Sequence, residues 1–313
     1  MSTAAASRHV LILGGVPALM VALPLAARSD LHITIIDDRP SGEQQAGVFV
    51  SADDLPDEHE GLLDSIVVAR WGTVIHSAGA EIAQPHRRIC FVQEAQARAE
   101  LAQMPACVTL VAATPKDVDP HRVSTDRGTF SADAVIDARD PQAIEPGGVH
   151  VLTCAVALAR PHILREPVLV DTGTATGTGW SFYQYLPAGP THLQIRAVGH
   201  GRPGRPIAIA LDEGRLLHSH RSCVPLVPVP SDTGMPIKVP FGCPDPIFPS
   251  TIPMAYASGI ALAAVPSLAD ADLHAALRDL CDREIGRRSR HMQDCRELAA
   301  IEPIERTGYL SPS

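Results

Sequence analysis

Apolar residues near the start of the chain fall into runs whose lengths match regular elements. Val10 to Leu13 is a continuous apolar run of strand length, and Ile33 to Ile36 is another that ends on acid at Asp37. Between them, Pro17 to Arg28 has the make-up of a helix with proline tolerated in its first turn. The order predicts a βαβ opening. Val10 to Ala27 carries no charge and follows Arg8, so it also has the look of a signal-peptide core or a short membrane span. Gly14-Gly15-Val16-Pro17 and Pro24 break that run and a strand follows at once, which favours strand, turn, helix, strand.

Farther along, residues 41 to 65 are polar and acidic and read as a solvated loop with a short helix. Val108 to Ala113, Arg122 to Thr125 and Ala134 to Ala138 are short apolar or alternating runs parted by Pro, Asp and Gly, as in a small hairpin that returns to a parallel sheet. Pro167 to Val170, Trp180 to Tyr185, Leu193 to Val198 and Ile207 to Leu211 are strand candidates between Gly/Pro turns, and they predict an antiparallel sheet. Ser250 or Thr251 caps a predicted helix from Met254 to Val265, where Pro266 closes it. Leu273, Leu277, Leu280 and Ile285 then form a helical stripe, followed by the basic residues Arg283, Arg287, Arg288, Arg290 and His291. Those basic residues lack the large apolar face of an interfacial helix and read as a solvated helix end.

Composition narrows the function classes. The chain has 313 residues and a net charge of −9 with acids and bases interspersed, so it has no basic face for nucleic acid. Seven cysteines form no C-x-x-C pair and leave one over in any disulfide scheme, which fits a reducing cytoplasm. No histidine or cysteine spacing suits zinc; His218 and His220, which flank a serine, read as a polar turn, and no metal is expected. The 28 prolines exceed the roughly 5% average and imply many fixed turns.

A dinucleotide fold needs glycine at the tight turn, at the pyrophosphate approach and at the helix–strand contact, with an acid about 20 residues later for the ribose. Gly14 fills the first position, with Gly15 beside it, but Val16 and Leu19 hold the second and third; Asp37 stands where the acid belongs. Weak or absent FAD is the expectation, because the Val16 methyls fall where phosphate oxygens approach.

The central segment 167 to 196, PVLVDTGTATGTGWSFYQYLPAGPTHLQIR, resembles without a gap the corresponding stretch of bacterial lycopene β-cyclases. Asp37-Asp38-Arg39-Pro40, Arg70-Trp71, Ala132 to Arg139, Met235-Pro236-Ile237 and Ile247 to Pro253 are similar to further segments of that family, although its histidine and central glycine near Phe248 are absent. The resemblance implies an α/β fold: a Rossmann-like FAD/NAD(P)-binding domain from 1–48, 101–147 and 231–300, a smaller antiparallel-sheet substrate domain from 49–100 and 148–230, and a tail at 301–313. It implies redox-neutral, proton-driven cyclisation of an apolar polyene or isoprenoid, assisted by reduced flavin.

Where the family has its acid/base glutamate, this chain has Arg196, which stays protonated and cannot exchange protons. Substitute groups near in sequence are Asp171, Tyr183, Tyr185, His192, His200 and Glu213; of these, Asp171, Tyr185 and His200 join Arg196 as the catalytic candidates. Gly14, Gly15, Asp37 and Thr251 are the cofactor-binding candidates, and Trp180, Phe182, Tyr183 and Phe248 the substrate-binding ones. By strand alternation Trp180 and Phe182 share one sheet face, Tyr183 and Tyr185 the other. Two functions compete: a divergent cyclase with altered chemistry, and a non-catalytic cyclase-like protein that binds an apolar ligand or partners an active subunit. A cytoplasmic location follows from the cysteines, with peripheral contact to the inner membrane face as a further expectation.

Overall fold

The computed structural model describes residues 7–37, 47–51, 64–77, 80–139, 149–171, 181–200, 214–224, 235–240 and 250–283. Strand β1 (Arg8–Leu13), helix α1 (Val16–Leu25) and strand β2 (Leu31–Asp37) form the expected βαβ opening. Strands β3 (Val48–Ser51), β4 (Val67–Ser77) and β5 (Ala80–Val92) follow, then helix α2 (Glu94–Leu101) and strand β6 (Cys107–Ala112). Three short strands, β7 (Pro115–Asp119), β8 (Arg122–Thr125) and β9 (Gly128–Ser131), precede β10 (Ala134–Asp137). Next come β11 (Val149–Leu158), β12 (Val168–Asp171), β13 (Ser181–Gly189), β14 (His192–His200), β15 (Gly214–Val224) and β16 (Ile237–Lys238). Helix α3 (Ile252–Ala263) and a last helical run over 270–283, α4, end the described chain.

The strands make two large sheets and one small one. A five-stranded sheet runs β16-β10-β1-β2-β6, all parallel; an eight-stranded, mainly antiparallel sheet runs β15-β11-β14-β13-β12-β4-β5-β3; β7-β8-β9 is an antiparallel ribbon. This is the α/β class expected, with the second sheet the wider of the two. In the polar stretch read as a loop, residues 48–51 form buried strand instead, because β3 pairs with β5 and packs Phe49 on Phe91. His218 and His220 lie in strand β15 rather than in a turn, with stacked rings 6.5 Å apart on alternate residues. The candidate strand Ile207 to Leu211 and the stripe position Ile285 lie outside the described residues.

Every residue of α1 is buried, which explains why its sequence also has the look of a membrane span: a helix that is apolar all round needs cover all round. The parallel sheet, α2 and α3 supply that cover. Among the described residues no helix is long and apolar enough to cross a membrane. Pro24 falls in the last turn of α1, where its missing N–H costs one bond near a helix end.

Helices α1 and α3 touch where Gly259 meets Val21, and again where the Arg28 Nη1 donates to the Val265 carbonyl. Seven residues on from Val21 and six on from Gly259 the chains still touch, so the helices run parallel. A Cβ on Gly259 would sit 2.5 Å from the Val21 carbonyl oxygen, a backbone atom that cannot swing away. Replacing Gly259 by Ala is therefore expected to destabilise the protein by about 1–3 kcal/mol, read as a lower urea midpoint with unchanged slope. An unchanged midpoint would mean that the helices separate without cost.

Near the N-terminal ends of β1 and β2 the His9 ring stacks on His32 with centroids 4.6 Å apart. Its Nδ1–H donates to the Ser131 carbonyl, which leaves Nε2 to accept from the Thr34 hydroxyl. Burial, and then the charge on His32, lower the His9 pKa below its ordinary 6.5. Because the unfolded chain takes up that proton first, this contribution to stability is present above pH 6.5 and is lost as pH falls through the folded value. His9→Asn should make the melting temperature less sensitive to pH between neutrality and mild acid; an equal pH slope in both proteins would rule His9 out as the source.

Candidate functional site

Ligands of open α/β sheets sit outside the carboxyl ends of the strands, where the strand order reverses. Here that edge lies beside β1, which has β2 on one side and β10 on the other. Strand β1 ends at Leu13 and turns sharply at Gly14, whose φ of +127° favours glycine and whose missing Cβ would lie 2.9 Å from the Ala138 carbonyl oxygen. The Gly14 N–H donates to Ile36 O, and the Ala138 N–H donates to Leu13 O, so the turn is held between β2 and β10.

Gly15 is the N-cap of α1, which has no side-chain cap and no acid in its first turn. Thr251 is the N-cap of α3, also without a side-chain bond of its own; the neighbouring Ser250 Oγ accepts from the Ile252 N–H at 3.3 Å. Since α1 and α3 run parallel, both positive helix ends face the same sheet edge. Gly14, Gly15, Asp37 and Thr251 thus lie towards one edge of the sheet. Val16 and Leu19 are 3% and 1% exposed and pack in the main hydrophobic core. Their side chains are covered by protein.

Two carboxylates stand at this edge, each on an arginine. Asp37 accepts from Arg98 Nη2 at 2.9 Å, and Arg98 also binds Glu94, one helical turn earlier, at 2.7 Å. Glu94 has no exposed side-chain surface, so Arg98 balances two acids at once. Asp137, at the end of β10, takes a two-pronged contact from Arg139, with both distances 2.8 Å. Sequence reading missed Glu94, Arg98, Asp137 and Arg139 as site groups. The Glu94/Arg98 spacing of four on a helix was a visible signal; their meeting with Asp37, 61 positions away, was not.

The substrate candidates lie on the eight-stranded sheet. In its register, Gln184 pairs with Arg196 and Thr153 pairs with Arg196 from the other side, while Tyr185 pairs with Ile195. Arg196 is 7% exposed and Phe182 is 5% exposed, on the same face of the sheet. Tyr185 packs with Val156, Leu193 and Ile195 on the opposite face, which Tyr183, two residues earlier, shares. The alternation expected for Phe182 against Tyr183 and Tyr185 is what the register shows, and it has a consequence: Arg196 and Tyr185 cannot reach a common reacting atom from one side of the sheet. His200 ends β14 with its backbone opposite Val149, and Asp171 ends β12 opposite Tyr183 and His76. Trp180 and Phe248, with Glu213, lie outside the described residues.

A second aromatic group went unread in the sequence. Phe49, Trp71 and Phe91 form a cluster with ring centroids 5.8 and 4.7 Å from Phe49, and Trp71 keeps part of its surface open. Among the described residues no group of acids, histidines and cysteines is arranged to hold a metal ion.

Removal of Arg98 tests the paired-acid arrangement. Arg98→Met leaves Glu94 and Asp37 buried without their cation and is expected to lower stability by about 3 kcal/mol, against about 1 kcal/mol for Asp37→Asn. Urea denaturation of both variants decides it, and equal losses would show that Glu94 does not depend on Arg98.

No protein-family profile and no curated protein matches the chain. Solved structures do. A geranylgeranyl bacteriochlorophyll reductase-like protein from Thermoplasma acidophilum superposes with a TM-score of 0.66 at 15% identity, over 96% of this chain and 90% of the other. CtdE, solved in complex with FAD, gives 0.57 at 11% identity, over 97% and 99%. The Diels-Alderase PyrE3 of pyrroindomycin biosynthesis gives 0.56 at 14% identity, over 98% and 81%. At these identities the likeness is one of fold, and it is a fold shared with a protein solved in complex with FAD.

Proposed function

We propose that this protein holds an apolar polyene or isoprenoid against its eight-stranded sheet and belongs to the chemistry of lycopene-cyclase-like enzymes, with proton transfer altered by Arg196. The observation that carries this reading is the burial of Arg196 on the Phe182 face, where the resemblance puts the reacting end of the substrate. In this reading residues 1–48, 101–147 and 231–300 form the nucleotide side and 49–100 with 148–230 the substrate side. The structural likeness to a geranylgeranyl-reductase-like protein supports an isoprenoid ligand, and the likeness to a Diels-Alderase supports ring formation on this scaffold.

The residues at the carboxyl edge fit FAD in part. Gly14 and Gly15 would give room for close backbone approach, the ends of α1 and α3 would offer positive potential to a pyrophosphate, and Asp37 would meet a ribose hydroxyl. Bound reduced flavin would stabilise a substrate cation without net electron transfer. Val16 and Leu19 remove the two other glycines of the fingerprint, so binding is expected to be weak.

On the substrate side the chain must protonate one double bond, exclude water and later remove a proton. Phe182, Leu186 and Val198 supply a dry face beside Arg196. A guanidinium neither gives nor takes a proton at working pH and repels a developing carbocation. Proton exchange therefore belongs to another group, with Asp171 and His200, at the ends of β12 and β14, as the candidates.

A non-catalytic role is the second reading, favoured by the joint loss at Val16, Leu19 and Arg196. There the protein stores an apolar ligand or accompanies an active enzyme subunit, in the cytoplasm or at the membrane surface. Production in a lycopene-accumulating bacterium tests both. The purified protein is expected to retain polyene and little flavin, and the native chain to make only traces of cyclised product. Arg196→Glu should raise that product on the order of a hundredfold, the low end of what general acid/base catalysis contributes. Efficient cyclisation by the native chain would sink the assignment of Arg196, and loss of all polyene on purification would sink the apolar ligand.

A further inference from the structure

Strand β15 closes one side of the eight-stranded sheet: β11 pairs with it, and among the described residues no strand lies on its other flank. That flank offers main-chain N–H and C=O groups to any extended chain that comes alongside. All seven residues from Arg215 to Arg221 are exposed. The register on β11 runs evenly from Val224, opposite Val149, to His218, opposite Ala155, and then slips, so that Leu216 faces Val156 and Arg215 faces Ala157. Leu217 is the extra residue of a bulge. Its insertion puts Arg215 on the same face as His218 and His220, where strict alternation would set it on the other. The opposite face carries Leu216 and Arg221. No acid occurs from Gly214 to Val224, on a chain whose net charge is −9.

Charged side chains guard many sheet edges against stray pairing, but a guard has no use for apolar residues in the open. Leu216 and Leu217, adjacent and 56% and 45% exposed, argue for cover by a partner. A second copy of this chain is the wrong one: pairing β15 with itself sets basic residues against basic residues, which destabilises cross-strand contacts. We infer that β15 is the docking edge for an extended, acidic segment of another protein. The segment adds as a further strand, with carboxylates opposite Arg215, His218 and His220 and an apolar side chain beside Leu216. Main-chain hydrogen bonds supply the affinity, and the alternating side chains the selection. This inference is independent of what the rest of the sheet or the nucleotide edge binds.

The test uses the full chain and a dye-labelled peptide in which glutamate and valine alternate, followed by fluorescence anisotropy. Its controls carry lysine in place of glutamate, the same residues in two blocks, or N-methylated amides that cannot donate. The alternating acidic peptide is expected to bind about tenfold or more tighter than each control, as three opposite-charge pairs and a main-chain ladder allow. It should also slow amide hydrogen exchange in β15. Arg215→Glu combined with His218→Glu, both at exposed positions, should remove the preference at an unchanged melting temperature.

Blocked or N-methylated acidic peptides that bind equally well would show attraction by charge alone and overturn the inference. Binding that leaves exchange in β15 unchanged, or that survives the double variant, would overturn it too. Should vesicles of anionic lipid or an oligonucleotide bind β15 while no peptide does, the partner belongs to another class and the inference fails. Absence of binding by the acidic peptide would leave β15 a guarded edge and nothing more. None of these outcomes bears on the apolar ligand.

Discussion

The approach of α3 to α1 at Gly259 and Val21 is the constraint on which the site depends. Two helices can share that contact only because one of them has no side chain there. Their parallel run then fixes both N-termini at the carboxyl edge of the parallel sheet, beside Gly14 and Asp37. A wider crossing would leave the same residues in the sequence but disperse the edge at which they meet. The all-apolar surface of α1 enforces the arrangement, since no part of it can turn to water without loss.

That edge and the eight-stranded sheet obey different electrostatic rules. At the edge, acids and arginines alternate and compensate each other locally, Asp37 and Glu94 around Arg98, Asp137 on Arg139. On the sheet face, cationic and donor groups are strung in one direction with apolar neighbours. The first pattern holds the groups of the edge in place; the second sets Arg196 and Gln184 beside the buried Val151, Val198 and Phe182 on one face.

Much of the parallel half was legible because its signals are local. β1, α1, β2, β6 and β10 were all visible as apolar runs with turn residues between them, and the Leu273, Leu277, Leu280 stripe marked α4. The face assignment of Phe182 against Tyr183 and Tyr185 followed from a period of two. What escaped notice depends on partners far away in the chain. β3 is strand because β5 covers it, and β15 is strand because β11 pairs with it over its whole length, though Arg215, His218, His220 and Arg221 make it read as polar surface. The separation of Arg196 from Tyr185 by the thickness of the sheet needed the register, which no single segment contains.

Strand β12 joins the wide sheet by running alongside β4 in the same direction, the one parallel seam among its described pairings. Residues near 70 must therefore wait for residues near 170 before that border closes. During synthesis the β4–β5 hairpin emerges first, with one flank able to take up any extended chain that passes. Assembly of this half is governed by a late long-range closure, which predisposes it to slow maturation and to capture by the wrong strand in crowded surroundings.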